Sequence, residues 1–142
     1  MLPAYISHRD CAKHEMGHMH PDSPERIGAI HDMLLIKGLI DCIQPYDAPL
    51  ATESQLAQAH SVLYIHTIAN LSPTGGHVHV DPDTSMNPYT YQAALRAAGA
   101  AVLATDLVIG GKAPCAFCNV RPPGHHAEYA AAGGFCFSTM SR

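Results

Sequence analysis

A chain of 142 residues with 8 Lys and Arg against 12 Asp and Glu carries a formal charge of −4. That length predicts one domain or a portion of one, and 47% apolar against 14% charged residues excludes a disordered tail. The mild acidity excludes the clustered Lys and Arg of a nucleic-acid surface, and no run of about 18 uncharged apolar residues is present to span a membrane. The stretch Met1 to Asp10 has no basic region followed by an apolar one, so no secretory leader is expected. Five cysteines, an odd number, then read as reduced thiols in a cytoplasmic chain. Histidine is the outlier, and its 11 copies point to metal or acid–base chemistry.

Leu2 to Ser7 reads as a first short strand, followed by a His-, Gly- and Pro-rich loop from His14 to Pro24. Ser23-Pro24 signals a helix start, because a serine hydroxyl accepts from a free backbone N–H and proline needs no donor in the first turn. Ile27, Ile30, Met33 and Leu34 give that helix an apolar face, and Gly38 stops it. Cys42 to Tyr46 reads as a second strand, placed at a sheet edge by Pro45. Thr52-Glu53-Ser54-Gln55 fits a capping box, and Ser61 caps a further helix with Leu63, Ile65, Ile68 and Leu71. Ser72 to Asn87 is read as loop, with breakers at Pro73, Gly75-Gly76 and Asp81-Pro82-Asp83. The longest helix is predicted from Pro88 to Ile109, Ala-rich and closed by Gly110-Gly111. Ala113 to Val120 reads as a buried strand stopped by Arg121-Pro122-Pro123-Gly124. This order predicts an α/β layer fold with a mainly parallel sheet.

Three groups of residues could carry chemistry. His14-Glu15-Met16-Gly17-His18 matches the H-E-x-x-H pattern of zinc proteases, which needs a helix to put both histidines on one face. Gly17, Pro21 and Pro24 oppose such a helix and favour an ordered loop. Cys115-Ala116-Phe117-Cys118 is a C-x-x-C pair, but three residues along a strand point to opposite faces, so two small buried side chains are the expected reading. Arg121-Pro122-Pro123-Gly124-His125-His126 is the sharpest. It stands at the C-terminal end of a predicted strand, where open α/β sheets place their sites. Two prolines stiffen the turn, Gly124 is expected to bend it, and two adjacent imidazoles are held in place. From spacing alone the pair could be catalytic or ligand histidines, or a surface feature.

Arg121 to Glu128, followed by Gly133-Gly134-Phe135-Cys136-Phe137, resembles the histone deacetylase family, and within it the class II and bacterial amidohydrolase-like branch. His14-Glu15-Met16-Gly17 with His20-Pro21-Asp22-Ser23-Pro24-Glu25-Arg26 is similar to that branch's N-terminal motif, and Asp81-Pro82-Asp83-Thr84 follows in family order. The resemblance implies a doubly wound arginase/deacetylase-like α/β fold and zinc-dependent hydrolysis of an acyl-amide, in which Zn²⁺ polarises the carbonyl and activates a water. It implies that His126 is general base and then acid, and that His125 supports charge in the transition state. It places Phe135 in the wall of an acyl-lysine tunnel and the Gly134 backbone beside the substrate amide. Arg26 would stand near the inner end of the pocket and Asp83 on the rim. The substrate it implies is an acylated lysine, a polyamine or another small amide.

The family's Asp-x-His and second Asp zinc ligands, and its oxyanion-stabilising tyrosine, lie further along than Arg142, and residues 138–142 depart from the family pattern. The resemblance thus implies the N-terminal portion of a single deacetylase domain, incomplete at its C-terminus. No Zn²⁺ is expected to be held by this chain alone, and no deacetylase activity is expected from it. The alternative is a non-catalytic interaction module, and an unfinished sheet edge predicts self-association.

Overall fold

The structure, a computed structural model, describes residues 1–139. In chain order the elements are β1 (Ala4–Ser7), α1 (Glu25–Ile36), β2 (Gln44–Asp47), α2 (Glu53–Leu56), α3 (Val62–Leu71), β3 (Val78–Asp81), β4 (Thr84–Met86), α4 (Thr90–Ile109) and β5 (Ala116–Asn119). β1 is the middle of a parallel sheet in the order β2-β1-β5, with Ala4 opposite both Gln44 and Ala116. Strand side chains alternate between faces. Ala4 and Ile6 therefore point one way, into a core with Ala100, Leu107 and Ala113 from α4 and its exit. Tyr5 points the other way, toward His31 of α1 and Phe117 of β5. Helices thus cover both faces, as a doubly wound fold requires.

Local chemistry accounts for the helix ends. Gly38 takes a φ of +67°, and the N–H groups of Gly38 and Leu39 close α1 by donating to the carbonyls of Leu35 and Leu34. Thr52 and Gln55 form the expected capping box, and Ser61 accepts from the Tyr64 N–H. At the start of α1 the Ser23 hydroxyl accepts from the Glu25 N–H and bonds the Glu25 carboxylate, with Pro24 between them at the helix boundary.

Several expectations need correction. The strand read as Ala113 to Val120 contracts to Ala116–Asn119, because Pro114 has no N–H and the Ala113 N–H instead bonds the Leu107 carbonyl. It is also an edge strand and not a buried one: among the described residues β1 is its sole strand neighbour, and Phe117 is 50% exposed. The segment read as loop from Ser72 to Asn87 contains the antiparallel pair β3–β4 around Pro82-Asp83, held by a His79–Ser85 side-chain hydrogen bond of 2.7 Å. Its apolar positions, Val80 and the fully buried Met86, pack with Tyr64, Ile68, Ala94 and Phe137. On α1, Ile27, Ile30 and Leu34 are half-buried, whereas Met33 is 52% exposed.

α4 begins at Thr90 and not at Pro88, because Asn87 organises the turn ahead of it by accepting from Tyr89 N–H and Thr90 O–H. It is the one helix among the described residues long and apolar enough to cross a membrane by length and composition. Here that character serves packing. Ala93, Ala94, Ala98 and Ala100 are buried, and Gly99 lies so close to the Pro49 carbonyl that a Cβ would meet it at 2.0 Å. The charge of Arg96 within the helix is met by the Asp10 carboxylate (3.2 Å) and the Ala48 carbonyl (2.8 Å).

Candidate active site

The chain leaves β1 into the loop of residues 8–24 and leaves β5 into the turn Arg121–His126. Between them opens a cleft of about 610 Å³ lined by Pro21, Asp22, Arg26, Val120, Pro122, Pro123, Gly124, His125 and Phe135, with Ala97, Ala98 and Ala101 of α4 behind. Its position outside the carboxyl ends of parallel strands is the usual one for an open α/β sheet.

His125 lines the cleft, and its ring lies 4.3 Å, centroid to centroid, from that of His126. Both are exposed and follow the strand on a loop, as the two prolines predicted. Gly124 earns its place differently from expectation. Its φ is not left-handed, but a Cβ there would meet the Ser138 carbonyl at 2.4 Å, so the turn and residue 138 pack backbone to backbone. Gly134 does adopt φ +56°, and a Cβ on it would come within 2.8 Å of the His126 ring. The Gly134 backbone therefore packs against His126.

Phe135 reaches the cleft from a left-handed φ of +69°, with its N–H bonded to the Thr84 hydroxyl at 3.0 Å. The Thr84 hydroxyl donates to Asp83, which stands exposed at the β3–β4 turn and does not line the cleft. Asp83 thus stands outside the cleft lining and is joined to Phe135 through Thr84. Arg26 lines the cleft from the start of α1, donating to the Val120 carbonyl at 2.9 Å and standing 3.9 Å from Asp22.

Several site residues carried no assigned role in the sequence. His20 packs edge-on against Phe135 at 4.6 Å. It accepts the Asp22 N–H at Nδ1, so its Nε2–H donates to the Asp83 carbonyl. Cys136 Sγ accepts the His126 N–H at 3.4 Å, and burial pushes its thiol pKa up, which suits a structural role. His60 donates from Nδ1 to the Glu128 carbonyl and accepts the Thr139 N–H at Nε2, while Tyr64 donates to the Phe137 carbonyl. The loop bearing Gly134 and Phe135 is therefore anchored on α3. Of the residues at 138–142, Ser138 and Thr139 lie against this site; the rest fall outside the described residues.

The other two sequence candidates dissolve. His14 to His18 is loop: His14 bonds Thr90 at 2.8 Å, and Glu15 bonds His77 at 2.7 Å. The expectation of two buried side chains also needs correction: Cys118 is half-buried and faces α4 and the Ala100 carbonyl, but Cys115 lies ahead of the strand and is exposed; both are free thiols. Among the described residues, no three His, Cys, Asp or Glu side chains converge to hold a metal ion. The described donors therefore do not make up a zinc site.

The pattern that defines the histone deacetylase domain matches residues 20–140. The chain belongs to the histone deacetylase family. It is 30% identical over 96% of its length to a probable deacetylase of Archaeoglobus fulgidus, covering 38% of that protein. It is 36% identical over 83% of its length to a histone deacetylase-like amidohydrolase of Pseudomonas aeruginosa, covering 31% of it. It is also similar to the polyamine deacetylase HDAC10 of Rattus norvegicus, at 35% identity over 81% of the chain and 20% of the relative. Among solved structures, the HDA15 HD domain superposes with a TM-score of 0.88 at 31% identity, over 96% of this chain and 39% of that one. This histone deacetylase chain thus spans between a fifth and two fifths of the length of those relatives, and its fold matches that of the solved domain over the 39% it covers.

Proposed function

We propose that this chain is the N-terminal portion of a zinc-dependent deacetylase domain, and that it carries the acid–base and acyl-binding half of the site. The observation that supports it is the cleft at the end of β5, where His125, Phe135 and Arg26 converge on one cavity. Phe135 offers an apolar wall for an acyl-lysine stem, with His20 stacked behind it. Gly134 keeps the His126 ring beside the backbone that would meet the substrate amide. His126 would move the proton of the attacking water, and His125, beside it, would support charge. The described side chains do not fit a zinc ion. Its donors, and activity, would come from sequence that the longer relatives possess. Acylated lysine and acylated polyamine are the substrate classes, and five free thiols support a reducing, cytoplasmic setting.

The test is acetate release from an acetyl-lysine peptide and from an acetylated polyamine, by purified chain with added Zn²⁺. The expected result is no turnover above background, with NMR signals of Phe135 and His125 perturbed by the peptide. Turnover that disappears in His126→Ala would overturn the incomplete-site reading. A second reading, a non-catalytic interaction module, is favoured by the open β5 edge and exposed Phe117. A chain that leaves the Phe135 and His125 signals untouched by peptide, yet associates through that edge, would establish it.

A further inference from the structure

Arg121 stands directly before the Pro122–His126 turn and is completely buried. A guanidinium has five N–H donors, and here each one has an acceptor. Nε and Nη2 grip the two oxygens of the Asp22 carboxylate at 3.1 and 2.9 Å, and Nη2 also reaches the Asp22 carbonyl at 2.8 Å. Nη1 donates to the carbonyls of Cys11 (3.0 Å) and His14 (2.6 Å). Every acceptor lies in the loop after β1. One side chain thus fastens that loop to the exit of β5.

The loop it fastens is the opposite wall of the cleft. Pro21 and Asp22 line the cavity, and His20 between Met19 and Pro21 buttresses Phe135. We propose that Arg121 and Asp22 are a positioning pair, which sets the His125–His126 turn against the His20–Phe135 wall. The proposal rests on reading the cleft as the acyl-binding site. A buried ion pair is weak evidence for stability, since apolar replacements often do as well. Its fork geometry, however, fixes direction as well as distance, which a lysine at the same position would not do. His14 leaves the carboxylate to the arginine. Thr90 accepts the Asn87 N–H and donates its own hydrogen to Asn87 Oδ1, so it can only accept from His14 Nδ1–H. The His14 Nε2 lone pair then faces Asp22 Oδ2 at 3.6 Å without a hydrogen bond. Neither residue is catalytic; both act through the groups they orient.

The test is imidazole NMR of the ¹⁵N-histidine-labelled 142-residue chain, comparing Asp22→Asn, Arg121→Lys and Asp22→Glu. Leu107→Ala, in the core cluster with Ala4 and Ala113, serves as a control of lowered stability away from the cleft. The pair variants are expected to lower the melting temperature by about 10 °C, and to displace the His20, His125 and His126 cross-peaks while the chain is still folded. Leu107→Ala should lower the melting temperature and leave those peaks in place. Unmoved peaks in folded Asp22→Asn and Arg121→Lys would overturn the proposal. So would failure of all three pair variants to fold, which would make the pair a requirement of folding and not of site geometry. The readout does not depend on deacetylation, so an error in the proposed function leaves it standing as a separate result.

Discussion

Gly134 illustrates how a single residue type is dictated by its surroundings. Its left-handed φ and its contact with His126 each exclude a side chain. Gly134→Ala is expected to destabilise the chain by about 2 kcal/mol or more, from αL strain and overpacking together, with the His126 imidazole signal displaced; urea denaturation and NMR check both. His14 and Asp22 predict the acid limit of stability. Burial holds His14 below its ordinary value of 6.5. Burial alone would raise Asp22, but the Arg121 guanidinium bonded to both its oxygens outweighs this and holds it below 3.8. Both folded-state values are depressed, so the unfolded chain binds more protons and stability is lost as pH falls. The His14 contribution is complete above about 6.5 and is lost as pH falls through its folded value; that of Asp22 is complete above about 3.8 and goes later. Thermal melts from pH 8 to pH 3 should therefore decline in two stages. His14→Gln should remove the first, and an unchanged profile in that variant would refute the assignment.

At the scale of elements, the β3–β4 hairpin, α3, α4 and the Phe135 loop meet at one side chain. Phe137 is 1% exposed and packs with Tyr64, Ile68, Met86 and Ala94. Phe137→Ala is expected to cost about 3–5 kcal/mol, and to loosen the loop bearing Gly134 and Phe135 as well as the core. Hydrogen exchange should show lost protection at Phe135 and Thr139 N–H, which bond Thr84 and His60. Protection retained at both would show that the loop is held by its hydrogen bonds alone. Thr52→Ala, which removes the capping box of the four-residue α2, is expected to cost about 1 kcal/mol and to leave the histidine signals unmoved.

For the whole molecule, the sheet has two outer strands. β1 is covered on both edges, whereas β2 and β5 each have one strand neighbour among the described residues, and β5 presents Phe117 half-exposed. Ile36 and Met33 on α1 add exposed apolar surface on another part of the molecule, at 75% and 52%. An open apolar edge is a template for pairing with another chain. The chain is therefore expected to self-associate at micromolar concentration in sedimentation experiments, and Phe117→Lys to shift it toward monomer. A strict monomer with a cooperative melt above about 60 °C, the upper part of the mesophile range, would show that the edge is no liability.

The sequence by itself determined what local rules decide. Turn chemistry placed Thr52, Ser61, Gly38 and Gly110 at helix ends, and two prolines put His125 and His126 on a loop after a strand. The two end motifs, with their specific spacing, were enough to indicate the family. What the sequence left unread depends on contacts between distant residues. Three- and four-residue strands such as β4 carry too little periodicity to separate from loop; Met86 shows its role only against Phe137. Ala113 to Val120 is apolar whether buried or at an edge, and only the strand order places it at the edge. The joining of Asp22 to Arg121, 99 positions apart, and of His20 to Phe135, is likewise a product of tertiary folding. A buried charge finds its partner through space, and no spacing rule along the chain encodes that distance.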